Sequence, residues 1–181
     1  MRIIAGEWRG RPLVAPEGRA TRPTSDRARE GLLSMLASRL GSFDGLRAAD
    51  LFAGTGALGL EALSRGAAHC LFVDNNGNAV AAIERNLKSF VADDRGDVRA
   101  QAVEYAPPPP APCNLVFLDP PYSAGMSEAA LARIANPAWL APGALVSLET
   151  DRTRPAPPPG LEIETERRFG KAHLTLFRWA G

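Results

Sequence analysis

Apolar residues repeat along the chain with two periods, and the two periods alternate in a regular order. Short apolar runs bounded by Gly, Asp or Pro predict strands, and apolar residues spaced three or four apart predict helices. The predicted strands cover residues 48–52, 70–74, 98–103, 114–119 and 144–149, and the intervening helices cover residues 57–65, 79–91 and 127–135. This alternation predicts a parallel sheet with helices on both faces.

The two ends of the chain depart from this alternation. Strand-like segments 161–169 and 173–179 are separated by a three-residue turn, which predicts an antiparallel hairpin closing the sheet. Extended segments on either side of Gly6 and Gly10 predict an N-terminal β-hairpin, and a helix should follow Pro23 and end at Gly41. The expected fold class is therefore α/β, with seven strands in a mostly parallel sheet and an added N-terminal β-hairpin.

Composition narrows the class of protein. The 181 residues are 45% hydrophobic and 23% charged, which is typical of one globular unit with a full-sized core. Because no run of 18 apolar residues occurs and the first residues do not form a signal peptide, we expect a soluble, cytoplasmic protein without a membrane partner. Cys70 and Cys113 each begin an apolar run, which favours buried thiols over a metal site or a disulfide.

The net charge of +1 conceals an uneven distribution. Residues 1–40 carry eight Arg against four acids (+4), whereas residues 41–181 carry thirteen basic residues against sixteen acids (−3). A basic segment on a mildly acidic body is typical of contact with nucleic-acid phosphates. We therefore expect two parts within one compact unit, a nucleic-acid-docking extension over residues 1–40 and a main part over residues 41–181. The predicted phosphate contacts are Arg9, Arg11 and Arg22, whereas Trp8 can stack on a base or belong to the core.

A glycine loop follows the first predicted strand of the sheet. Residues 54–59 read G-x-G-x-x-G and open a helix, and Asp74 ends the next strand twenty residues after Gly54. Glycines let the backbone approach a ligand closely, and a carboxylate at the end of the second strand can hold two ribose hydroxyls. The spacing fits both a nicotinamide dinucleotide and S-adenosylmethionine. Asp50 favours the second, because its carboxylate would repel a pyrophosphate and attract the cationic amino-acid end of S-adenosylmethionine.

A second motif, Asp119-Pro120-Pro121-Tyr122, follows the apolar strand 114–119. The exocyclic amine of a nucleic-acid base is a poor nucleophile because its lone pair is delocalised into the ring. The Asp119 carboxylate and the Pro120 carbonyl can both accept hydrogen bonds from such an amine and orient it for in-line attack on a methyl group. The Pro120-Pro121 pair stiffens the turn, and Tyr122 offers a flat face for an extruded base.

With these motifs the chain resembles class I methyltransferases, which have a Rossmann-like fold, and within them the RsmD family of bacterial small-subunit rRNA guanine-N2 methyltransferases. The resemblance is carried by residues 1–6 (MRIIAG), 8–10 (WRG), 22–24 (RPT), 50–67 (DLFAGTGALGLEALSRGA) and 119–122 (DPPY). The N-terminal segments, which continue after residue 24 with residues 26–27 (DR) and 29–30 (RE), and residues 64–67 are the most specific to the family. Two positions depart from its common pattern: Gln101 stands where Asp or Asn is frequent, and Tyr122 where Phe is frequent.

The resemblance implies methylation of the N2 amine of one guanine in 16S rRNA, within the small ribosomal subunit or an assembly intermediate. It implies S-adenosylmethionine as the cofactor, no metal, and an antiparallel last strand. The implied catalytic residues are Asp119, Pro120, Pro121 and Tyr122, and the implied cofactor-binding residues are Asp50, Phe52, Ala53, Gly54, Thr55, Gly56, Asp74, Asn75, Gln101 and Ala102. Three alternatives stay open from the residues themselves: an adenine-N6 methyltransferase on DNA or RNA, a non-catalytic RNA-binding assembly factor and, more remotely, a dehydrogenase.

Overall fold

A computed structural model of the chain describes residues 1–18, 26–123, 125–151 and 154–181. The helices are α1 (Asp26–Leu40), α2 (Ala57–Ser64), α3 (Gly77–Ser89) and α4 (Met126–Ile134). The strands are β1 (Arg47–Leu51), β2 (His69–Asp74), β3 (Gly96–Ala100), β4 (Cys113–Leu118), β5 (Leu140–Thr150), β6 (Leu161–Phe169) and β7 (Ala172–Trp179). Within these ranges no helix is both long and apolar enough to span a membrane.

The seven strands form one sheet in the order β3-β2-β1-β4-β5-β7-β6. Strands β1 to β5 are parallel to one another, and β7 pairs antiparallel with both β5 and β6. The chain order reverses beside β1, where β2 and β4 lie on either side. In open parallel sheets, ligands bind at such a switch point, outside the carboxyl ends of the strands.

Alternate residues of the strands face two separate cores, as the pleat of a sheet requires. Ala48 of β1 and Phe117 of β4 belong to the cluster under α1, α2 and α3. Leu51 and Leu118 belong to the cluster on the other face, under α4. The predicted mostly parallel sheet with helices on both faces is confirmed.

The N-terminal segment forms a looser hairpin than predicted. One antiparallel bridge, Arg2 to Pro12, joins its two arms, and neither arm is a regular strand. Pro12 has no N–H to extend a ladder. The segment docks instead on the end of α2, where the Glu7 and Trp8 amides donate to the Ser64 carbonyl and hydroxyl at 2.7 and 3.0 Å.

The side chains of this segment are part of the core under α2 and α3. Trp8 is buried and stacks on Phe90 with the ring centroids 4.6 Å apart, so it takes the core role rather than stacking on RNA. Gly6 has a φ of 86°, and a Cβ there would lie 2.0 Å from the Ser64 carbonyl oxygen. A glycine at position 6 is therefore required for the docking of the segment on α2.

Most predicted elements agree with the structure to within a few residues; β5 begins four residues before the predicted start at residue 144, and the third strand ends early. It was predicted over residues 98–103 but runs over Gly96–Ala100. Its partner β2 ends at Asp74, which pairs with Ala100, so the ladder has no further partner. The chain then turns, and Val103–Tyr105 forms a short 3-10 helix.

Candidate active site

Four acidic side chains lie at the end of the sheet where the parallel strands have their carboxyl ends. Asp50 lies near the end of β1 and Asp74 at the end of β2. Asp119 directly follows β4, and Glu149 lies next to the last residue of β5. We call this side of the molecule the catalytic edge. The sequence did not predict Glu149 as a site residue, because acidic residues are common near the ends of strands. Only the order of the strands places this one beside Asp119.

The glycine loop is tied to Asp74 through two backbone hydrogen bonds. The Gly54 amide donates to Oδ2 and the Asn76 amide to Oδ1, both at 2.9 Å. A carboxylate has about four lone-pair positions, so each oxygen keeps capacity for a further donor. Gly54 itself has a φ of 57°, and a Cβ there would point into open space. A ligand can therefore approach the loop backbone while two hydroxyl groups bind Asp74.

A cavity of about 270 Å³ lies beside this loop, slightly below the range of about 300–1,000 Å³ common for small-molecule sites. Its walls come from the ends of β1, β2 and β4, from the 3-10 segment and from the start of α4. They comprise Phe52, Asp74, Asn75, Ala102, Val103, Glu104, Tyr105, Pro121 and Met126. The structure thus brings together five of the predicted residues, Phe52, Asp74, Asn75, Ala102 and Pro121.

The other predicted cofactor residues support this cavity from outside its walls. The Ala53 amide donates to the Val73 carbonyl, and the Thr55 hydroxyl accepts from the Ala57 amide at the start of α2. Gly56 precedes that helix with a φ of 75°. Gln101 donates its backbone N–H to the Asp74 carbonyl, and its buried side-chain Nε2 has no hydrogen-bond partner among the described atoms. That nitrogen is a donor without a protein acceptor, in the residue directly before the cavity wall at Ala102.

Asp50 is fully enclosed by the protein. Its side chain is 3% exposed, and Oδ2 accepts a hydrogen bond from the Gly59 amide in α2 at 2.9 Å. Burial raises its pKa to about 8, with smaller contributions in the same direction from the negative charges of Asp119 and Asp74. A cation bound at this edge would favour the ionised carboxylate.

The Asp119-Pro120-Pro121-Tyr122 turn lies where β4 ends. Pro120 is buried, whereas Tyr122 is 39% exposed. The Tyr122 hydroxyl donates to Oε1 of Glu149 at 3.3 Å. Tyr122 stands where Phe is frequent in the family, and Glu149 supplies the hydrogen-bond partner that the additional hydroxyl needs.

The predicted RNA-contacting arginines lie elsewhere. Arg9 is exposed on the N-terminal segment, and the Arg11 guanidinium lies 4.4 Å from the centre of the Phe90 ring and donates to the Ser89 carbonyl. Ser89 ends α3, which runs from the catalytic edge towards the opposite edge of the sheet. Arg22 lies outside the described residues. The structure therefore does not bring Arg9 or Arg11 to the catalytic edge, and their contact with RNA stays a prediction.

The residues at the catalytic edge fit S-adenosylmethionine, the cofactor of class I methyltransferases. The open space at Gly54 admits an adenosine beside the loop, Asp74 has capacity for the ribose hydroxyls, and the Gln101 amide nitrogen lacks a partner. The buried Asp50 is suited to a cationic amino-acid end. In the described parts of the chain, no group of three His, Cys, Asp or Glu side chains is arranged to hold a metal ion.

Comparison with known proteins identifies the family. A family described as Conserved hypothetical protein 95 matches residues 1–178. Ribosomal RNA small subunit methyltransferase D of Escherichia coli is 34% identical over 180 residues, which are 98% of this chain and 89% of the relative. Bacillus subtilis YlbH, named as an rRNA methyltransferase, is 38% identical over 187 residues and all of both chains.

A solved structure supports the same conclusion. The Escherichia coli protein named as the methyltransferase yhhF superposes with a TM-score of 0.87 at 33% identity, covering 100% of this chain and 98% of that one. The likeness extends over the N-terminal segment, the cofactor loop and the final hairpin together. The chain therefore belongs to the RsmD family, the family of ribosomal RNA small subunit methyltransferase D.

Proposed function

We propose that this protein transfers a methyl group from S-adenosylmethionine to the exocyclic N2 amine of a guanine in 16S rRNA, presented on the small ribosomal subunit or an assembly intermediate. The observation that carries the proposal is the Asp119-Pro120-Pro121-Tyr122 turn beside the glycine-loop cavity, at one edge of the sheet. Membership of the RsmD family supports rRNA as the substrate, since relatives are named for the small ribosomal subunit.

Binding of the cofactor depends on Asp74, Gly54 and the walls of the cavity. Asp74 holds the ribose hydroxyls, and its carboxylate is already oriented by the amides of Gly54 and Asn76. Bound S-adenosylmethionine supplies an electrophilic methyl group on a sulfonium sulfur. Asp50 provides a compensating negative charge close to the cationic end, where burial strengthens the attraction.

The amine is oriented by acceptors on the turn after β4. The Asp119 carboxylate accepts a hydrogen bond from one N–H of the amine, and the Pro120 carbonyl accepts a hydrogen bond from the other. These two bonds aim the lone pair of the nitrogen at the methyl carbon. With the cofactor held by Asp74 and the walls of the cavity, the oriented amine would be the nucleophile and the sulfonium sulfur would be the leaving group. The excess proton on nitrogen then leaves along the hydrogen bond to the Asp119 carboxylate. Preorganised acceptors of this kind contribute most in a site that excludes water.

The strand order provides a reason for guanine rather than adenine. Asp119 and Glu149 follow the paired residues Leu118 and Leu148 on adjacent strands, which lie about 4.8 Å apart. Guanine presents two neighbouring donors, N1–H and the N2 amine, whereas adenine presents an acceptor at N1 beside its amine. Two adjacent carboxylates match the guanine edge and would oppose the adenine N1 lone pair. Glu149 also holds the Tyr122 hydroxyl, so the stacking ring and the second acceptor are set by one side chain.

The decisive experiment is methyl transfer to a defined RNA position. The protein is incubated with labelled S-adenosylmethionine and small ribosomal subunits from cells lacking the activity, and the methylated nucleotide is mapped by primer extension and mass spectrometry. We expect one N2-methylguanine in 16S rRNA. The Asp119→Asn variant keeps the shape of the turn and should label about 10²–10³ times more slowly. Label on the N6 amine of an adenine would show that the protein is an adenine-N6 methyltransferase instead. The absence of label on every subunit and RNA tested would overturn the enzymatic proposal.

A further inference from the structure

We propose that the tip of the β6–β7 hairpin is a second RNA-binding element, which binds backbone phosphates flanking the target base. This hairpin-tip patch consists of Arg168 and Lys171 together with Arg167, which extends from the opposite face of β6. The inference rests on the proposed function, and it assigns phosphate contacts to a part of the chain outside the arginine-rich residues 1–40.

The register of the sheet places the patch at the catalytic edge. Thr150 pairs with His173, and His173 pairs with Arg168, so one row of residues runs across β5, β7 and β6. The neighbouring row joins Glu149, Leu174 and Arg167. The hairpin turn, with Lys171, extends beyond these rows on the same side as the end of β5.

The same pairing gives the distance from the reacting groups. The Asp119 turn, at the end of β4, is separated from β6 by three strand spacings, which is about 14 Å at about 4.8 Å each. That length corresponds to a few nucleotides of RNA backbone. Phosphates next to an extruded base can therefore reach the patch while the base itself lies on the Asp119-Pro120-Pro121-Tyr122 turn.

Ion pairs along the hairpin leave the positive charge at its tip uncompensated. Further from the tip along β6, Glu164 forms an ion pair with Arg178 at 2.9 Å, and Glu166 forms one with Arg154 at 2.6 Å. Arg167, Arg168 and Lys171 are exposed, and none forms an ion pair with a carboxylate among the described residues. Even with the exposed Asp151 at the end of β5 set against them, the three cations leave a net positive charge.

Packing holds the tip in place. Phe169, the last residue of β6, packs on Gly31 of α1 so closely that a Cβ at position 31 would lie 2.4 Å from its ring. The cations flank this anchored residue, so less conformational entropy is lost when they bind phosphate than would be lost from a free loop. By contrast, the predicted contacts Arg9 and Arg11 lie on the segment that docks at the ends of α2 and α3, away from the catalytic edge.

The chain contains two lysines, one at each edge of the sheet, and this allows a matched footprint. Lys171 is in the patch, whereas Lys88 is exposed in the last turn of α3, towards the opposite edge. The protein is acetylated with a water-soluble amine reagent, alone and with excess small ribosomal subunits, and both sites are quantified by mass spectrometry. We expect several-fold protection of Lys171 and little change at Lys88. An unprotected Lys171 would overturn the proposal, whether or not Lys88, which lies beside the Ser89 partner of Arg11, is protected.

Charge-neutralising variants give a second, independent measurement. Binding to small ribosomal subunits is titrated across salt concentrations for wild type, an Arg168→Gln/Lys171→Gln variant and the Lys88→Gln control. Each phosphate contact that is lost lowers the log–log salt slope by roughly 0.7–0.9, so the double variant should fall by about 1.4–1.8 and the control should match wild type. An unchanged slope for the double variant would count against the patch.

The outcome is separable from that of the proposed function. Wild-type methyl transfer to the same subunits tests the enzymatic function, and calorimetric binding of S-adenosylmethionine by each variant tests whether the site remains folded. Normal wild-type methylation with an unchanged salt slope and an unprotected Lys171 refutes the hairpin-tip patch alone. Absence of wild-type methylation refutes the function, whatever the footprint shows.

Discussion

Replacing Asp50 with Asn should raise the stability of the protein, and the gain should increase with pH. Asp50 is 3% exposed and accepts the Gly59 amide at 2.9 Å. Burial is the main cause that raises its pKa from 3.8 to about 8, and the charges of Asp119 and Asp74 add to it. Asn has nearly the same volume and retains an oxygen that can accept from Gly59, so the substitution removes the charge and keeps the hydrogen bond.

The direction in which stability changes with pH follows from proton linkage. Between pH 4 and pH 8 the unfolded chain has lost the Asp50 proton while the folded protein retains it, so the folded state binds more protons and stability falls as pH rises. Each pH unit in this window costs about 1.4 kcal/mol. The cost of the carboxyl group is therefore about 4 kcal/mol at pH 7, and it levels off at about 6 kcal/mol above pH 8. Asn pays no such cost at any pH.

Urea unfolding at pH 4.5, 7 and 9 measures this difference. Wild type and Asp50→Asn should differ by about 1 kcal/mol at pH 4.5, and the variant should be more stable by about 6 kcal/mol at pH 9. In a domain of this size, about 4 kcal/mol corresponds to a rise in Tm of roughly 10 °C. Asp151→Asn, the same change at an exposed carboxylate, is the matched control and should show no gain that increases with pH.

Parallel stability curves for wild type and Asp50→Asn across pH would refute the reasoning. The same linkage affects the cofactor, because its cationic end favours ionised Asp50. Binding of S-adenosylmethionine near pH 7 should therefore release a proton. Calorimetry in buffers with different ionisation enthalpies detects that proton, and Asp50→Asn should abolish its release.

Substitutions at three further positions test the site and the N-terminal segment. Asp74→Ala should weaken S-adenosylmethionine binding by about 100-fold in calorimetry, because charge-assisted hydrogen bonds contribute about 1.5–3 kcal/mol each; unchanged affinity would remove Asp74 from the cofactor site. Tyr122→Phe should lower single-turnover methylation less than about tenfold, and Tyr122→Ala should lower it further through lost stacking, worth about 1–3 kcal/mol. Trp8→Ala should lower the free energy of unfolding by about 3–5 kcal/mol in urea, with the exposed neighbour Arg9→Ala as the control; equal effects would contradict the core role of Trp8.

The elements of the fold were predictable because their signals are local. The hairpin strand 161–169 was predicted with the bounds that the structure shows, since a short glycine turn separates two strand-like runs. The error at the third strand has a non-local cause: residues 101–103 are strand-like by composition, but β2 has already ended at Asp74. The length of a strand depends on its partner, and the residues of that strand contain no record of where the partner stops.

The candidate site was predictable to the extent that its residues belong to contiguous motifs. Gly54 and the Asp119 turn are recognisable because glycine geometry and paired prolines leave clear patterns in a few residues. Val103, Met126 and Glu149 have no such pattern. They line the cavity or hold Tyr122 because the strand order places them there.

The sequence by itself determined the order of helices and strands, the glycine loop, the position of Asp119 and the excess of arginine in residues 1–40, because each is encoded in neighbouring residues. Only the tertiary structure decided where the charged side chains lie in space. Docking of the N-terminal segment on α2 carries Arg11 to Phe90, and the antiparallel return of β7 carries Lys171 to the catalytic edge. Charge counted along the chain adds up groups that the folded sheet separates, since electrostatic attraction depends on distance in space and is screened within about 10 Å of solution.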